Sequence, residues 1–441
     1  WGQTKLWVSL VLDNSGSMSS SNKMTALKNA SAQLLTTLKN AATTPGDVQV
    51  AIVPFTNVVN VGKTAANVAA AWVDWSDWNA APKDATTGVT ITDTYKIAKT
   101  NVAFAAYGPG DDCPFTTTSN TGNVTSDAPY GFGCQVSSTN GASLVSVTPT
   151  SGSPRYSRIA AGGLICPSQN AAAYNHTYKD HLARYYNGCW TSAAVVGATV
   201  TVSTGSSATC GGFKTSATAN CTCSGSNSSK TCKTQKWAHT WTPNAHTIAN
   251  WSGCIMDRAQ DYDIQNVQPA GAAGFSATNP TSCLTPTVTP LGYNWTTLNN
   301  QITAMVASGS TNQAIGLAHG WQIITTGNPY GTPALPANTA RYIILLSDGL
   351  NTQDRWYGDG SEGTPDDAKI DDRMSKDCAA AKADGVVIYS IYVNTGGNGP
   401  SVPLSTCASD ASKYFVLTSS TAIVTTFDQI AQQITNVRVS M

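Results

Sequence analysis

Asp13, Ser15 and Ser17 stand at alternate positions of the run Asp13-Asn14-Ser15-Gly16-Ser17. The run directly follows Leu6-Trp7-Val8-Ser9-Leu10-Val11-Leu12, which reads as a buried strand. One carboxylate and two hydroxyls from a single tight loop are hard oxygen donors, suited to Mg²⁺ and not to a soft transition metal. The same residues also make a good turn, and Ser17 or Ser19 would cap a following helix. The loop therefore gains meaning only from what other segments bring to it.

Two segments bring the same chemistry. Asp348 follows the apolar run Arg341–Ser347 and precedes Gly349. Thr311 lies in Gly309-Ser310-Thr311-Asn312-Gln313-Ala314-Ile315-Gly316, where it suits a helix cap and a ligand equally. In an open α/β sheet, ligands bind outside the carboxyl ends of the strands. If the two strands are neighbours, Asp13 and Asp348 face each other across that crevice. The candidate metal set is Asp13, Ser15, Ser17, Thr311 and Asp348, with Mg²⁺ as the expected ion and Ca²⁺ or Mn²⁺ as alternatives. Two carboxylates roughly neutralise a divalent cation, but hydroxyls and water bind it weakly. One position is expected to stay open to an external carboxylate.

The elements that must position these residues alternate between strand and helix. Lys23–Asn40 places Met24, Leu27, Leu34, Leu35 and Leu38 on one helical face, and 47–55 reads as a second strand. Val58–Val61 reads as a short edge strand. Later, helical patterns cover about 295–306, 312–324 and 372–383, and Ile423, Phe427, Ile430 and Ile434 mark a closing helix. The runs 341–347 and 386–393 are apolar enough to be central strands, and Lys413–Leu417 is a shorter one. The expected fold class is α/β, a doubly wound, mostly parallel sheet with right-handed crossovers. Residues 1–62 and 291–441 read as its two halves, and 63–290 as a large disulfide-rich insertion of loops and β-structure.

Composition narrows the class. Charged residues are 11% of the 441, and 25 Lys and Arg balance 25 Asp and Glu. No basic field exists to attract nucleic acid or an anionic membrane. Twelve cysteines in so weakly charged a chain imply up to six disulfides and an oxidising compartment. Cys378 and Cys407 are expected to pair within the α/β domain, and Cys254 and Cys283 bracket the return to it. The remaining eight allow on the order of a hundred connectivities. A zinc alternative would use Cys210, Cys221, Cys223 and Cys232 with nearby histidines, but it lacks paired C-x₂-C spacing. No apolar stretch is long enough to span a membrane. The chain opens on Trp1 with no leader, so it reads as a processed or truncated product.

Together the three site segments resemble the metal-ion-dependent adhesion site of von Willebrand factor A domains. They supply D-x-S-x-S, a Thr in a Gly-x-Thr turn and an Asp in a strand-Asp-Gly turn. The resemblance covers 1–62 and about 291–441. It implies that Ser15, Ser17 and one acidic or Thr position touch the metal, the others acting through water. A closer likeness is to TadG-like proteins of the tight-adherence (Flp) pilus system. It rests on Asp13–Met18, Val53-Pro54-Phe55, Trp251-Ser252-Gly253-Cys254-Ile255-Met256-Asp257-Arg258, Thr311-Asn312, Gly316–Trp321 and Ile434–Ser440. The usual N-terminal membrane segment is absent from this sequence, and the insertion is larger and richer in cysteine than theirs.

That likeness implies an extracellular or cell-surface bacterial module for adhesion or assembly, with the periplasmic face as a further location. Its partner would be a protein, a pilus component or surface receptor, supplying Asp or Glu. Any membrane contact would come through an upstream segment. The alternative is a carbohydrate-binding surface protein using Trp72, Trp75, Trp78, Trp190, Trp237, Trp241, Trp251 and Trp295, although such residues more often pack disulfide-linked loops. The acidic stretch Asp354, Asp359, Glu362, Asp366, Asp367, Asp371 and Asp372 has Ca²⁺ donors without Ca²⁺-loop spacing, and reads equally as a solvated loop. His319 reads as structural. No nucleophile–base set stands out, so no enzyme is expected.

Overall fold

The computed structural model describes residues 4–76, 96–99, 142–145, 163–165, 190–209, 221–243, 248, 251–280, 282–283, 286–358, 360–397 and 399–440. The chain forms two compact units, one from residues 1–75 with 252–441 and one from 76–251. Along the chain come β1 (Lys5–Asp13), α1 (Lys23–Ala41), β2 (Val48–Phe55), β3 (Val59–Asn60), α2 (Ala65–Val68) and β4 (Val73–Asp74). The second unit contains β5 (Lys96–Lys99), β6 (Ala142–Val145), β7 (Gly163–Ile165), β8 (Trp190–Thr204), β9 (Cys221–Ser224) and β10 (Thr231–Pro243). These form an antiparallel sheet in the order β6-β5-β7-β8-β10-β9, and a Cys223–Cys232 disulfide ties β9 to β10.

The first unit resumes with β11 (Cys254–Arg258), β12 (Phe275–Thr278), β13 (Thr289–Gly292), α3 (Trp295–Ala304), α4 (Gln313–Gln322) and β14 (Thr339–Ser347). It closes with α5 (Asp367–Ala383), β15 (Val386–Val393), α6 (Val402–Cys407), β16 (Tyr414–Leu417) and α7 (Ala422–Ser440). Its ten-stranded sheet runs β16-β15-β14-β1-β2-β3-β11-β12-β4, with β13 paired to β2. The five strands from β16 to β2 are all parallel. This is the doubly wound, mostly parallel architecture expected from the sequence. One element differs: β3 is hydrogen-bonded to β2 on one side and β11 on the other, so it is an interior strand and not an edge. The strands β4, β11 and β12 from the 63–290 stretch, and β13 across its end, belong to this sheet.

Alternation along β1 splits its side chains between two layers. Leu6, Val8, Leu10 and Leu12 join Leu27, Leu34 and Leu38 of α1, Leu298 of α3, and Phe427, Ile430 and Ile434 of α7. Trp7 and Val11 join Ile315 and Leu317 of α4, Met374 and Cys378 of α5, and Leu404 of α6. Each fully buried Leu or Ile contributes about 1.5–3 kcal/mol, against about 0–1 kcal/mol for an exposed ion pair. The two apolar layers, and not surface charge, therefore hold the strand ends in place. Disulfides add Cys378–Cys407 between α5 and α6, as expected, and Cys254–Cys283 at the start of β11, with Cα separations of 5.0 and 5.8 Å.

Helix α4 lies unusually close to the sheet. A Cβ on Gly316 would meet Phe55 Cδ1 at 2.6 Å, and one on Gly320 would meet Val11 Cγ2 at 2.3 Å. Two glycines four apart clear one helical face, and this explains the Gly316–Trp321 block physically. Among the described residues, no helix is long and apolar enough to cross a membrane.

Candidate metal centre

The parallel strands β1 and β14 are direct neighbours, with Leu12 opposite Leu346. Their carboxyl ends bring Asp13 level with Ser347 and next to Asp348. On its other side β1 pairs with β2, the next strand in sequence. Strand order thus reverses at β1, which is where open α/β sheets form their ligand crevice.

Four of the five expected residues share hydrogen bonds. The Ser15 and Ser17 hydroxyls lie 3.0 Å apart, and Ser17 Oγ donates to Asp348 Oδ1 at 2.7 Å. Asp13 Oδ1 accepts the Ser15 N–H at 2.7 Å, and Asp13 Oδ2 accepts from Ser347 Oγ at 2.5 Å. Asp13, Ser15 and Asp348 are buried, whereas Ser17 is exposed. The cluster therefore opens to solvent on the Ser17 side.

Thr311 arrives on a second loop. Gly16 N–H donates to Gly309 O at 2.9 Å, Ser308 N–H to Asn14 O at 2.8 Å, and Asn14 Nδ2 to Val306 O at 2.9 Å. Gly309 holds a φ of +74°, and a Cβ there would lie 2.2 Å from Ser282 Cβ, so only glycine fits this approach. The loop places Thr311, itself buried, alongside the Asp13 loop. The Thr311 backbone bonds onward: its N–H donates to Thr352 Oγ1 at 3.0 Å, and its carbonyl accepts the Thr352 N–H at 2.9 Å. Asn312 caps α4 by accepting the Ile315 N–H.

Sequence reading missed two members of the cluster. Ser347 looked like the last residue of a strand, and Lys23 like the first residue of a helix. Lys23 Nζ donates to Asp348 Oδ2 at 2.7 Å, with side-chain exposures of 8% for Lys23 and 0% for Asp348. The missed signal was electrostatic. A helix start carries partial positive charge and disfavours a lysine, yet α1 opens on one with no acidic residue in its first turn.

The electrostatics are unbalanced. Two buried carboxylates lie together, and the one ammonium beside them pairs with Asp348. Burial, and then the Asp348 charge, push the Asp13 carboxyl up to about 7. Among the described residues, the buried acceptors Asn14 Oδ1 and Gln313 Oε1 lack a protein donor. The arrangement is chemically able to receive further positive charge. No group of three or more His, Cys, Asp or Glu capable of holding a metal occurs among the described residues. A cation here would depend on hydroxyls as much as on carboxylates.

The other candidates resolve into structural roles. Asp354 accepts the Trp356 and Tyr357 N–H groups, Asp366 pairs with Lys369, and Asp367 accepts from Gly363 and Thr364. Asp371 accepts from Asn351 and Asp372 pairs with Lys376, while exposed Glu362 borders Gly349. Asp359 lies outside the described residues. In the zinc alternative, Cys223 and Cys232 are bonded to each other, and Cys210 lies outside the described residues. Trp72 and Trp251 are buried, and Trp295 packs against the core. Trp78 and the side chains of Trp190, Trp237 and Trp241 lie outside the described residues. Buried His319 hydrogen-bonds Tyr330 Oη at 2.6 Å and stacks on Phe275 at 4.3 Å, a structural role.

No protein-family profile and no curated protein matches the chain's sequence. Among solved structures, it is similar to the vWF domain of the type V pilus tip protein Mfa5 from Porphyromonas gingivalis. That match has 8% identity and a TM-score of 0.38, over 100% of this chain and 98% of the other. The pilus adhesin SpaC from Lactobacillus rhamnosus GG matches at 10% identity and a TM-score of 0.36, over 99% of this chain and 31% of SpaC. Proximal thread matrix protein 1 from the mussel byssus, with a zinc-occupied MIDAS motif, matches at 19% identity and a TM-score of 0.22, over 32% of this chain and 31% of that one. These likenesses are distant.

Proposed function

We propose that Asp13, Ser15, Ser17, Thr311 and Asp348 hold a divalent cation that captures a carboxylate of a protein partner. The observation that carries this reading is convergence. Residues 13–17 and 348, more than 300 positions apart, meet in one hydrogen-bonded cluster at the strand-order switch, with Ser17 facing water. The donor set fits Mg²⁺ best, with Mn²⁺ or Ca²⁺ as close relatives: all oxygen, two carboxylates, and no soft ligand. Asp13 and Asp348 would supply the negative charge, and Ser15, Ser17 and Thr311 the neutral donors. When bound, the ion supplies a fixed positive charge with room for an external oxygen ligand.

On this reading the chain is an extracellular adhesion or assembly module of von Willebrand A type. The likeness of its sequence blocks to those of TadG-like proteins supports a bacterial tight-adherence-type pilus setting, and the disulfides support an oxidising compartment. The carbohydrate alternative is less favoured, because Trp72, Trp251 and Trp295 are committed to packing.

Calorimetric titration with Mg²⁺ and Mn²⁺ tests the metal. The wild-type chain is expected to bind one ion and to gain about 2.7 kcal/mol of stability at a hundredfold excess over Kd. Asp13→Asn is expected to remain folded and to lose both effects. A wild-type chain that takes up neither ion, or an Asp13→Asn chain that binds as well, overturns the reading.

A further inference from the structure

We propose that Lys23 is a tethered counter-ion of this site. It weakens the binding of the divalent ion alone and strengthens the preference for an anionic partner once the ion is bound. The inference rests on the metal reading above.

The geometry is specific. Lys23 Nζ reaches Asp348 Oδ2 at 2.7 Å, while Ser17 Oγ occupies Asp348 Oδ1 at 2.7 Å, so both carboxylate oxygens are engaged. The pair is buried, so solvent screens it little. Lys23 also reaches back to Ser17 O at 3.5 Å, which ties it to the same loop that offers the two hydroxyls. A lysine needed only to start α1 would be poorly chosen, because the helix start repels it. Its placement is explained by Asp348.

The charge count follows. With Asp13 ionised, as a metal ligand must be, the two buried carboxylates and Lys23 together carry one negative charge. A divalent ion turns that into one positive charge, and a partner carboxylate returns it to neutral. Without Lys23, the ion alone would already neutralise the site, and the partner carboxylate would leave it negative. A buried positive charge within a few ångströms of the ion therefore opposes the ion and favours the partner. Exposed Glu362, beside Gly349, lies on the solvent side and is screened.

The test is Mn²⁺ titration of the full chain, with and without saturating acetate, for wild type, Lys23→Met and Lys23→Arg. Lys23→Met is expected to bind Mn²⁺ about tenfold or more tightly, and Lys23→Arg to stay near wild type. Acetate is expected to tighten Mn²⁺ binding more in wild type than in Lys23→Met. Should Lys23→Met fail to fold, Lys23→Gln makes the same comparison. If wild type binds Mn²⁺ and the neutral variant binds within twofold of it or more weakly, the counter-ion role is overturned while the metal reading stands. Equal effects of acetate on both chains overturn the partner-preference half. If no chain binds Mn²⁺, both the metal reading and this inference fall.

Discussion

Two sites of buried charge in the α/β unit differ in how fully the protein answers that charge. Arg258, 1% exposed, donates Nε to Ala273 O at 2.7 Å, Nη1 to Gln265 O at 2.9 Å and Nη2 to Val267 O at 2.7 Å. Its guanidinium also lies 5.6 Å from the Phe275 ring and 5.9 Å from the Tyr262 ring. Every arm of that cation is used to fold the 259–275 loop onto β11. At the strand ends, by contrast, two carboxylates meet a single lysine, which pairs with Asp348 alone, and Ser17 faces water. A charge answered by the protein's own carbonyls is a support. A cluster short of positive charge and open on one side is a place for a ligand.

The largest expected effect tests the support. Arg258→Met removes three charge-assisted hydrogen bonds, one of them to the buried Ala273 carbonyl, at a cost of about 3 kcal/mol in urea denaturation. The loss should be the same with and without Mg²⁺. A loss that shrinks when Mg²⁺ is added would mean that the two loops are one energetic unit, and the contrast drawn above would fail.

Helix α4 touches both loops and gives the next effect. Asn312, beside Thr311 at its start, donates to Asp257 Oδ2 at 2.8 Å, while His319 near its end stacks on Phe275. Gly320→Ala puts a methyl into Val11 and is expected to cost about 1–3 kcal/mol through overpacking. Because lifting α4 also displaces Thr311, Mn²⁺ affinity should fall in the same variant. Thermal denaturation and calorimetry on one preparation read both quantities. Unchanged stability would show that the sheet yields to the helix.

Much of this arrangement was legible in the sequence, for reasons that also mark where legibility stops. β1 and β14 are buried on both faces, so they read as continuous apolar runs, and a carboxylate just after such a run must lie at a strand end. β4, β11 and β12 are two to five residues long and pair over long sequence separations. Segments that short carry no usable period, and the sheet therefore extends well past β2 without warning. The link from Thr311 to Thr352 uses the Thr311 backbone at both of its hydrogen bonds, to which side-chain pattern is blind. Lys23 is different. It breaks the rule for charge at a helix start, and such breaks are where sequence-level reasoning should look for function.

The smallest expected effect separates a support from a ligand group by pH. Burial first, and then the Arg258 charge, lower the His319 imidazole to about 3 from its ordinary 6.5. The folded protein therefore keeps His319 neutral where the unfolded chain binds a proton. That stability is complete above pH 6.5 and is lost as pH falls toward 3, by at most about 1.4 kcal/mol per unit. Asp257 works in the opposite sense. Burial, then the Asp263 charge, raise it from 3.8 to about 6, so its contribution falls as pH rises through that interval. The wild-type profile mixes the two, and only a difference between chains isolates the histidine. His319→Gln, which cannot titrate, loses the Phe275 stacking at every pH. Its deficit relative to wild type should be constant above pH 7 and should narrow by about 1 kcal/mol at pH 5.5. Parallel stability curves from pH 7 to 5.5 would show that His319 takes up its proton in the folded state, and so does not sit in the dry interior that distinguishes the Arg258 loop from the strand ends.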